Sequence, residues 1–260
     1  MDNKRFTQFR LKTASIISNF KKTTMETNIV YNEDCIQGLK RMPDKSVDLI
    51  LTDPPYGIDY QSARRIDTER FDKIEGDQEI QIDFIKEAYR LLKEDSAMYV
   101  FTRWDVYPEW FKAIQEQGFR VKSLIVWDRV IHGLGDLNGS YAPQHDFIIF
   151  AVKGKPTFKN GRPKDVIRAT RPNVDKMVHP TEKPIKVIRQ LIENSTNKND
   201  IVLDCFMGSG TTALACKQLN RRWVGFEISP EYCKIIEKRL SQKIMTGFFE
   251  TLTPSKTKGA

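Results

Sequence analysis

Asp53-Pro54-Pro55-Tyr56-Gly57 puts a carboxylate, two stiff prolines and a flat aromatic ring into five consecutive positions. A hydrogen-bond acceptor beside a stacking face suits the amino group of a nucleobase. The preceding residues, Val47-Asp48-Leu49-Ile50-Leu51-Thr52, form an apolar run of strand length. Pro54 lacks the N–H that a sheet ladder needs, so the strand must stop there. The acid and the ring then stand at the carboxyl end of a strand, where open α/β sheets bind their ligands.

A second group lies far downstream, at residues 203–213, LDCFMGSGTTA. Gly208, Gly210 and Ala213 fit G-x-G-x-x-A between a strand and a helix, and Glu227 follows Gly208 by nineteen positions. Glycines let the backbone approach a nucleoside, and the distal acid can accept from ribose hydroxyls. Amides around Gly210 and Thr211, at the helix start, suit a ligand carboxylate. The pattern alone fits NAD as well as other nucleosides. A P-loop is excluded, because no lysine follows Gly210. Just upstream, His179-Pro180-Thr181-Glu182-Lys183-Pro184 leads into a helical stretch, and Pro and Thr both favour helix entry.

Strands are expected near 28–31, 47–52, 97–101, 201–203 and 223–226. Val121–Trp127 and Phe147–Val152 are expected to pair antiparallel around a turn-rich loop, Arg129–His145. Helices are expected at 35–41, 78–93, 108–117, 183–194, 211–219 and 230–240, and a polar loop at 58–77. Such strand–helix alternation predicts an α/β fold with a doubly wound, mostly parallel sheet. Residues 1–24 read as a basic extension, disordered in preference to a helix that touches DNA, 25–240 as the globular body and 241–260 as a frayed tail.

The net charge of +8 is concentrated. Residues 1–24 carry +5, residues 151–178 carry +6 and residues 241–260 carry +2, which leaves −5 for the remainder. A mildly acidic body with one internal basic stretch suits a polyanion docking on a defined surface. The stretch supplies Lys153, Lys155, Lys159, Arg162, Lys164, Arg168, Arg171 and Lys176. Arginine suits bidentate guanine contacts and lysine suits phosphates. Cys35, Cys205, Cys216 and Cys233 show no metal-type spacing and do not group with His132, His145 or His179. No apolar run reaches the ~18 residues of a membrane span, and Lys12, Thr13, Ser15, Ser18 and Asn19 interrupt the one signal-like segment. No metal, no membrane and a reducing, cytoplasmic location are the expectations.

Asp53–Tyr56 resembles motif IV of the amino-methylating DNA methyltransferases, Asp204–Thr211 resembles motif I, and His179–Pro184 resembles motif X. Their order, with the basic stretch between the first motif and the other two, is the permuted order of the β-type members. The resemblance spans residues 28–240. It implies the S-adenosylmethionine-dependent methyltransferase fold with 151–178 as a small target-recognition insert. It also implies S-adenosylmethionine as cofactor and site-specific methylation of a flipped base in double-stranded DNA. Asp53, Pro54, Pro55 and Tyr56 would be catalytic. The cofactor would meet Asp34, Cys35, His179, Thr181, Lys183, Asp204, Phe206, Gly208, Ser209, Gly210, Thr211, Thr212 and Glu227. The basic residues at 153–176 would contact DNA. A homodimer and a cognate restriction endonuclease are further partners that the family suggests. Trp127-Asp128-Arg129 and His145-Asp146 depart from the family's Trp-x-Lys and His-Glu, so no catalytic role is assigned to them.

Asp53 points to adenine N6, because cytosine-N4 enzymes more often carry serine there. Cytosine N4 stays open as the alternative target. An NAD-dependent dehydrogenase would leave the Asp-Pro-Pro-Tyr group and the basic stretch unused. An inactive DNA-binding module would not need both sites.

Overall fold

The computed structural model describes residues 25–55, 81–133, 138–171 and 182–241. The basic extension, the whole 58–77 loop and nearly all of the tail lie outside the described residues. One eight-stranded sheet forms the centre. In chain order its strands are β1 (Ile29–Asn32), β2 (Val47–Thr52), β3 (Leu92–Thr102), β4 (Arg120–Asp128), β5 (His145–Lys153), β6 (Val166–Arg168), β7 (Ile201–Asp204) and β8 (Arg222–Glu227). The spatial order is β1-β8-β7-β2-β3-β5-β4-β6, and only β5 runs antiparallel to its neighbours.

Helices α1 (Cys35–Arg41), α2 (Phe84–Leu91) and α3 (Tyr107–Glu116) cover one face, and α4 (Ile185–Ser195), α5 (Thr211–Leu219) and α6 (Pro230–Ser241) cover the other. The period-two pleat of β2 serves both layers. Leu49 and Leu51 pack with α4, α5 and α6, while Ile50 packs with α1, α2 and α3; Val47 joins the layer of Ile50 because the register shifts between Val47 and Leu49. Burial on both faces explains why the central strands read as continuous apolar runs.

Several boundaries differ from the sequence expectation: α2 starts at Phe84 where the sequence predicts a helix from 78, and β3 starts at Leu92 where it predicts a strand from 97. The helix expected to reach Lys93 ends at Leu91, because Leu92 turns extended and pairs with Val47. Sheet pairing overrides helix propensity there. The basic stretch also begins inside β5 and carries β6, a strand with no counterpart in the sequence reading. Ile167 buries itself while Val166 and Arg168 face outward. The described part of the stretch therefore joins the sheet twice, in the interior strand β5 and in the edge strand β6.

Beside β2 lies the sheet's reversal of direction. From β2 the chain winds outward through β3, and from β7 it winds the opposite way through β8. Leu49 pairs with Val202 and Ile50 with Leu203, so both strands end at the same rim, at the kind of switch point where open α/β sheets bind ligands.

Helix α1 is anchored by close approach at Gly38, where an added Cβ would lie 1.9 Å from Cε1 of the buried Phe226 ring. Alanine would favour the helix by about 1 kcal/mol on propensity alone. A ring locked in the core cannot yield, so overpacking wins. Gly38→Ala is expected to destabilise the protein by about 1–3 kcal/mol in urea unfolding; a raised midpoint would contradict this packing.

Candidate functional site

Asp53 follows β2 directly, with its side chain 24% exposed. Pro54 behind it is buried and Pro55 is half-buried. Tyr56 and Gly57 lie outside the described residues. The Lys183 ammonium donates to Asp53 Oδ2 while sitting 5.1 Å from the centre of the Phe101 ring. Lys183 is only 10% exposed, so the pair is held close and largely shielded from water. The family resemblance assigned Lys183 to the cofactor, whereas here it holds the carboxylate of the Asp-Pro-Pro group. His179 and Thr181 of the same segment lie outside the described residues.

The glycine turn leaves the end of β7. Gly208 and Gly210 take φ values of +53° and +80°, a backbone region that side chains rarely adopt. A Cβ on Gly210 would also come within 2.8 Å of Ile236. No side chain caps the first turn of α5, so its leading amides keep the character of an anion site. Glu227, at the end of β8, accepts from the Gly208 amide at 2.7 Å through one oxygen and from the Ser229 amide at 2.9 Å through the other. Asn32 fixes the approach from β1 by donating to the Glu227 and Ile228 carbonyls. Asp34 is exposed beside them and caps α1 through Gln37. The Cys35 thiol is buried, which pushes it up to about 12, so only its backbone is suited to a polar contact.

Several expected cofactor residues turn out to build the turn itself. Asp204 is almost fully buried. It accepts from the Thr212 hydroxyl at 2.6 Å and the Phe206 amide at 3.1 Å. Burial pushes its carboxyl up to about 7, although both hydrogen bonds favour the anion. Phe206 is half-buried edge-on against Phe84. Ser209 and Thr211 are buried too. Glycines, amides and a distal acid on one strand rim fit an adenosine-type ligand, and the Asp53 carboxylate stands at the neighbouring strand end.

Comparison with known proteins places this arrangement. Residues 47–238 match the family described as DNA methylase. The chain belongs to the N6/N4 DNA methylase family. Its relatives include the type II methyltransferase M.HpaI of Haemophilus parainfluenzae, 31% identical over 234 residues, covering 81% of this chain and 73% of that one. The putative methylase YubD of Escherichia coli K12 is 33% identical over 208 residues, covering 80% and 88%. Among solved structures, the complex of M1.HpyAVI with S-adenosylmethionine superposes with a TM-score of 0.62 at 29% identity, covering 81% of this chain and 98% of that one. The cytosine-N4-specific PvuII DNA methyltransferase shares the fold, with a TM-score of 0.66 at 19% identity over 84% and 88%.

The basic residues of this methylase divide between the two rims of its sheet. Lys153 pairs with Ser96 at the beginning of β3, on the rim away from Asp53. Its ammonium donates to the Tyr89 and Leu92 carbonyls at 2.7 and 2.8 Å, and its side chain is 6% exposed. Burial pulls its pKa down. Lys153 is thus a core residue, which corrects its place among the expected DNA contacts. Lys155 and Lys159 are exposed on that same far rim, tied by their backbones to Asp95 and to Asn194 at the end of α4. Arg162 and Lys164 are exposed on the approach to β6. Arg168 and Arg171 reach the rim that carries Asp53. Lys176 lies outside the described residues.

On that rim Asp128 accepts from Gln144, the Val130 amide and Arg168, which together hold its carboxyl down to about 2. Trp127 is buried and donates to the Ala169 carbonyl. Arg129 and Asp146, set aside as departures from the family pattern, meet at 3.4 Å, with Arg171 at the same carboxylate. No helix among the described residues is long and apolar enough to cross a membrane.

Asp204 links the site to pH. Between its ordinary value of 3.8 and about 7, the unfolded chain has released this proton while the folded chain keeps it. Stability therefore falls as pH rises through that window, by at most about 1.4 kcal/mol per pH unit, and levels off above it. Asp204→Asn is expected to remove this component. Urea unfolding at pH 5 and 7.5 checks it, and an unchanged pH difference in the variant would contradict the buried-acid assignment.

Proposed function

We propose that this methylase moves a methyl group from S-adenosylmethionine to the N6 amino group of an adenine flipped out of duplex DNA. One observation carries the reading: the Asp53 carboxylate and the glycine turn leave adjacent, parallel strand ends. S-adenosylmethionine supplies an electrophilic sulfonium methyl and departs as a neutral thioether. The amides starting α5 would hold its carboxylate, and Glu227 its ribose. Asp34 and Phe206 would flank the adenine, and His179 and Thr181 would face the methionine end, with Asp204 shaping the turn beneath it.

The chain's remaining task is to make a poor nucleophile attack. The exocyclic nitrogen shares its lone pair with the ring. The Asp53 carboxylate and the Pro54 carbonyl would accept its two hydrogens and draw the nitrogen toward a tetrahedral geometry. Lys183 fixes the carboxylate for that role. Tyr56 would stack on the base, worth about 1–3 kcal/mol against the cost of unstacking. Pro54 and Pro55 limit the freedom of both acceptors, so positioning carries most of the rate. The acid at position 53 favours adenine over cytosine N4. Nucleoside mass spectrometry on DNA from expressing cells is expected to find N6-methyladenine, and N4-methylcytosine alone would overturn that choice. Asp53→Ala is expected to lose methyl transfer while S-adenosylmethionine binding survives; near wild-type turnover would remove Asp53 from the mechanism.

Arg168 and Arg171 are proposed as DNA contacts, with Arg162 and Lys164 on the segment that leads into the edge strand β6. Replacing both rim arginines by alanine is expected to weaken DNA binding. The salt slope should flatten by roughly 0.9 per lost phosphate contact. The same change at Lys155 and Lys159, on the far rim, is expected to leave the slope alone. Equal effects from the two pairs would contradict the rim assignment.

A further inference from the structure

Helix α6 sits behind the glycine turn, and one residue of it reaches two functional segments at once. Arg239 Nη1 donates to the Ser209 carbonyl at 2.8 Å and to the Ser209 hydroxyl at 2.9 Å. Its Nη2 donates to Glu182 Oε1 at 2.7 Å. Glu182 is 8% exposed and Arg239 19%, so the pair is shielded. A guanidinium is planar and its donors keep a fixed angle, so it sets the position of one segment relative to another. Glu182 precedes Lys183, whose ammonium holds Asp53. Pro184 then stiffens the entry to α4 in an extended conformation. Polar contacts thus run from Ser209 in the cofactor turn through Arg239 to Glu182, the backbone links Glu182 to Lys183, and Lys183 reaches the catalytic carboxylate.

We propose that Arg239 is a positioning residue that yokes the cofactor turn to Asp53 through Glu182 and Lys183. The proposal rests on the methyl-transfer reading above. It makes cofactor affinity and turnover depend on a side chain that touches neither substrate. Losing the fork frees the 182–184 segment from the turn, so Lys183 no longer holds Asp53 in register with the methyl donor. Lysine at 239 has a single ammonium and cannot reproduce the fork.

The test uses the full chain with S-adenosylmethionine and unmethylated, PCR-amplified DNA. Wild type, Arg239→Ala, Arg239→Lys, Glu182→Ala and the double alanine variant are compared for kcat, KM for S-adenosylmethionine, cofactor binding and thermal midpoint. Arg239→Ala is expected to raise the cofactor KM and to lower kcat by about 10–100-fold, the scale of a small misplacement of reacting groups. Arg239→Lys should recover the thermal midpoint without recovering kcat. The double variant should be no slower than the worse single one, because the two residues act as one unit. Unchanged kcat and KM in Arg239→Ala, full recovery by lysine, or additive losses in the double variant would each overturn the yoke. If wild type itself neither binds S-adenosylmethionine nor methylates DNA, the methyl-transfer reading falls first. An active wild type beside an equally active Arg239→Ala sinks the yoke alone.

Discussion

Parallel pairing of β2 with β7 sets the geometry of everything else. These strands are about 150 residues apart in sequence, yet Leu49 meets Val202 and Ile50 meets Leu203 in register. Closing such a separation costs chain entropy before it returns any contact. Two apolar strands buried between helix layers supply the compensation. Slipping the register by one residue would swap Leu49 and Ile50 between layers, so the pairing is sharply specified. Because both strands stop at the same rim, the carboxylate after one and the glycine turn after the other must face a common crevice.

Polar contacts then tune that crevice. The turn is built from inside by Asp204, Thr212 and the Phe206 amide, and gripped from behind by Arg239. Lys183 holds Asp53 at the end of the neighbouring strand. Glu227 closes the turn onto the next strand through the Gly208 amide. Each contact is charge-assisted or buried, the regime in which a hydrogen bond fixes geometry most firmly. The site's own residues thus spend much of their bonding capacity on one another, which prepares positions before any ligand arrives.

Much of this could be read from local pattern. Pro54 dictates where β2 must stop, and Gly208 and Gly210 announce a tight turn that favours glycine. The antiparallel β4–β5 pair followed from two apolar runs around a turn-rich loop. Other features left no local trace. No turn residue separates Leu91 from Leu92, so the end of α2 is set by pairing with Val47 across the sheet. β6 is three residues long, too short to show a period. Lys153 counts as a surface charge in any composition argument, but its position on β5 sends the side chain inward to two carbonyls. Arg239 looks like one of several cations closing an amphipathic helix, and only the fold brings it to Ser209 and Glu182. Charge tells how many cations a segment holds, whereas topology decides which rim they reach.

The most direct test of the shared crevice is a crystal structure of the chain with S-adenosylmethionine bound. The adenosine is expected against Glu227 and the glycine turn, with the sulfonium methyl turned toward Asp53. A cofactor seated on another edge of the sheet, or one whose methyl faces away from Asp53, would contradict the account.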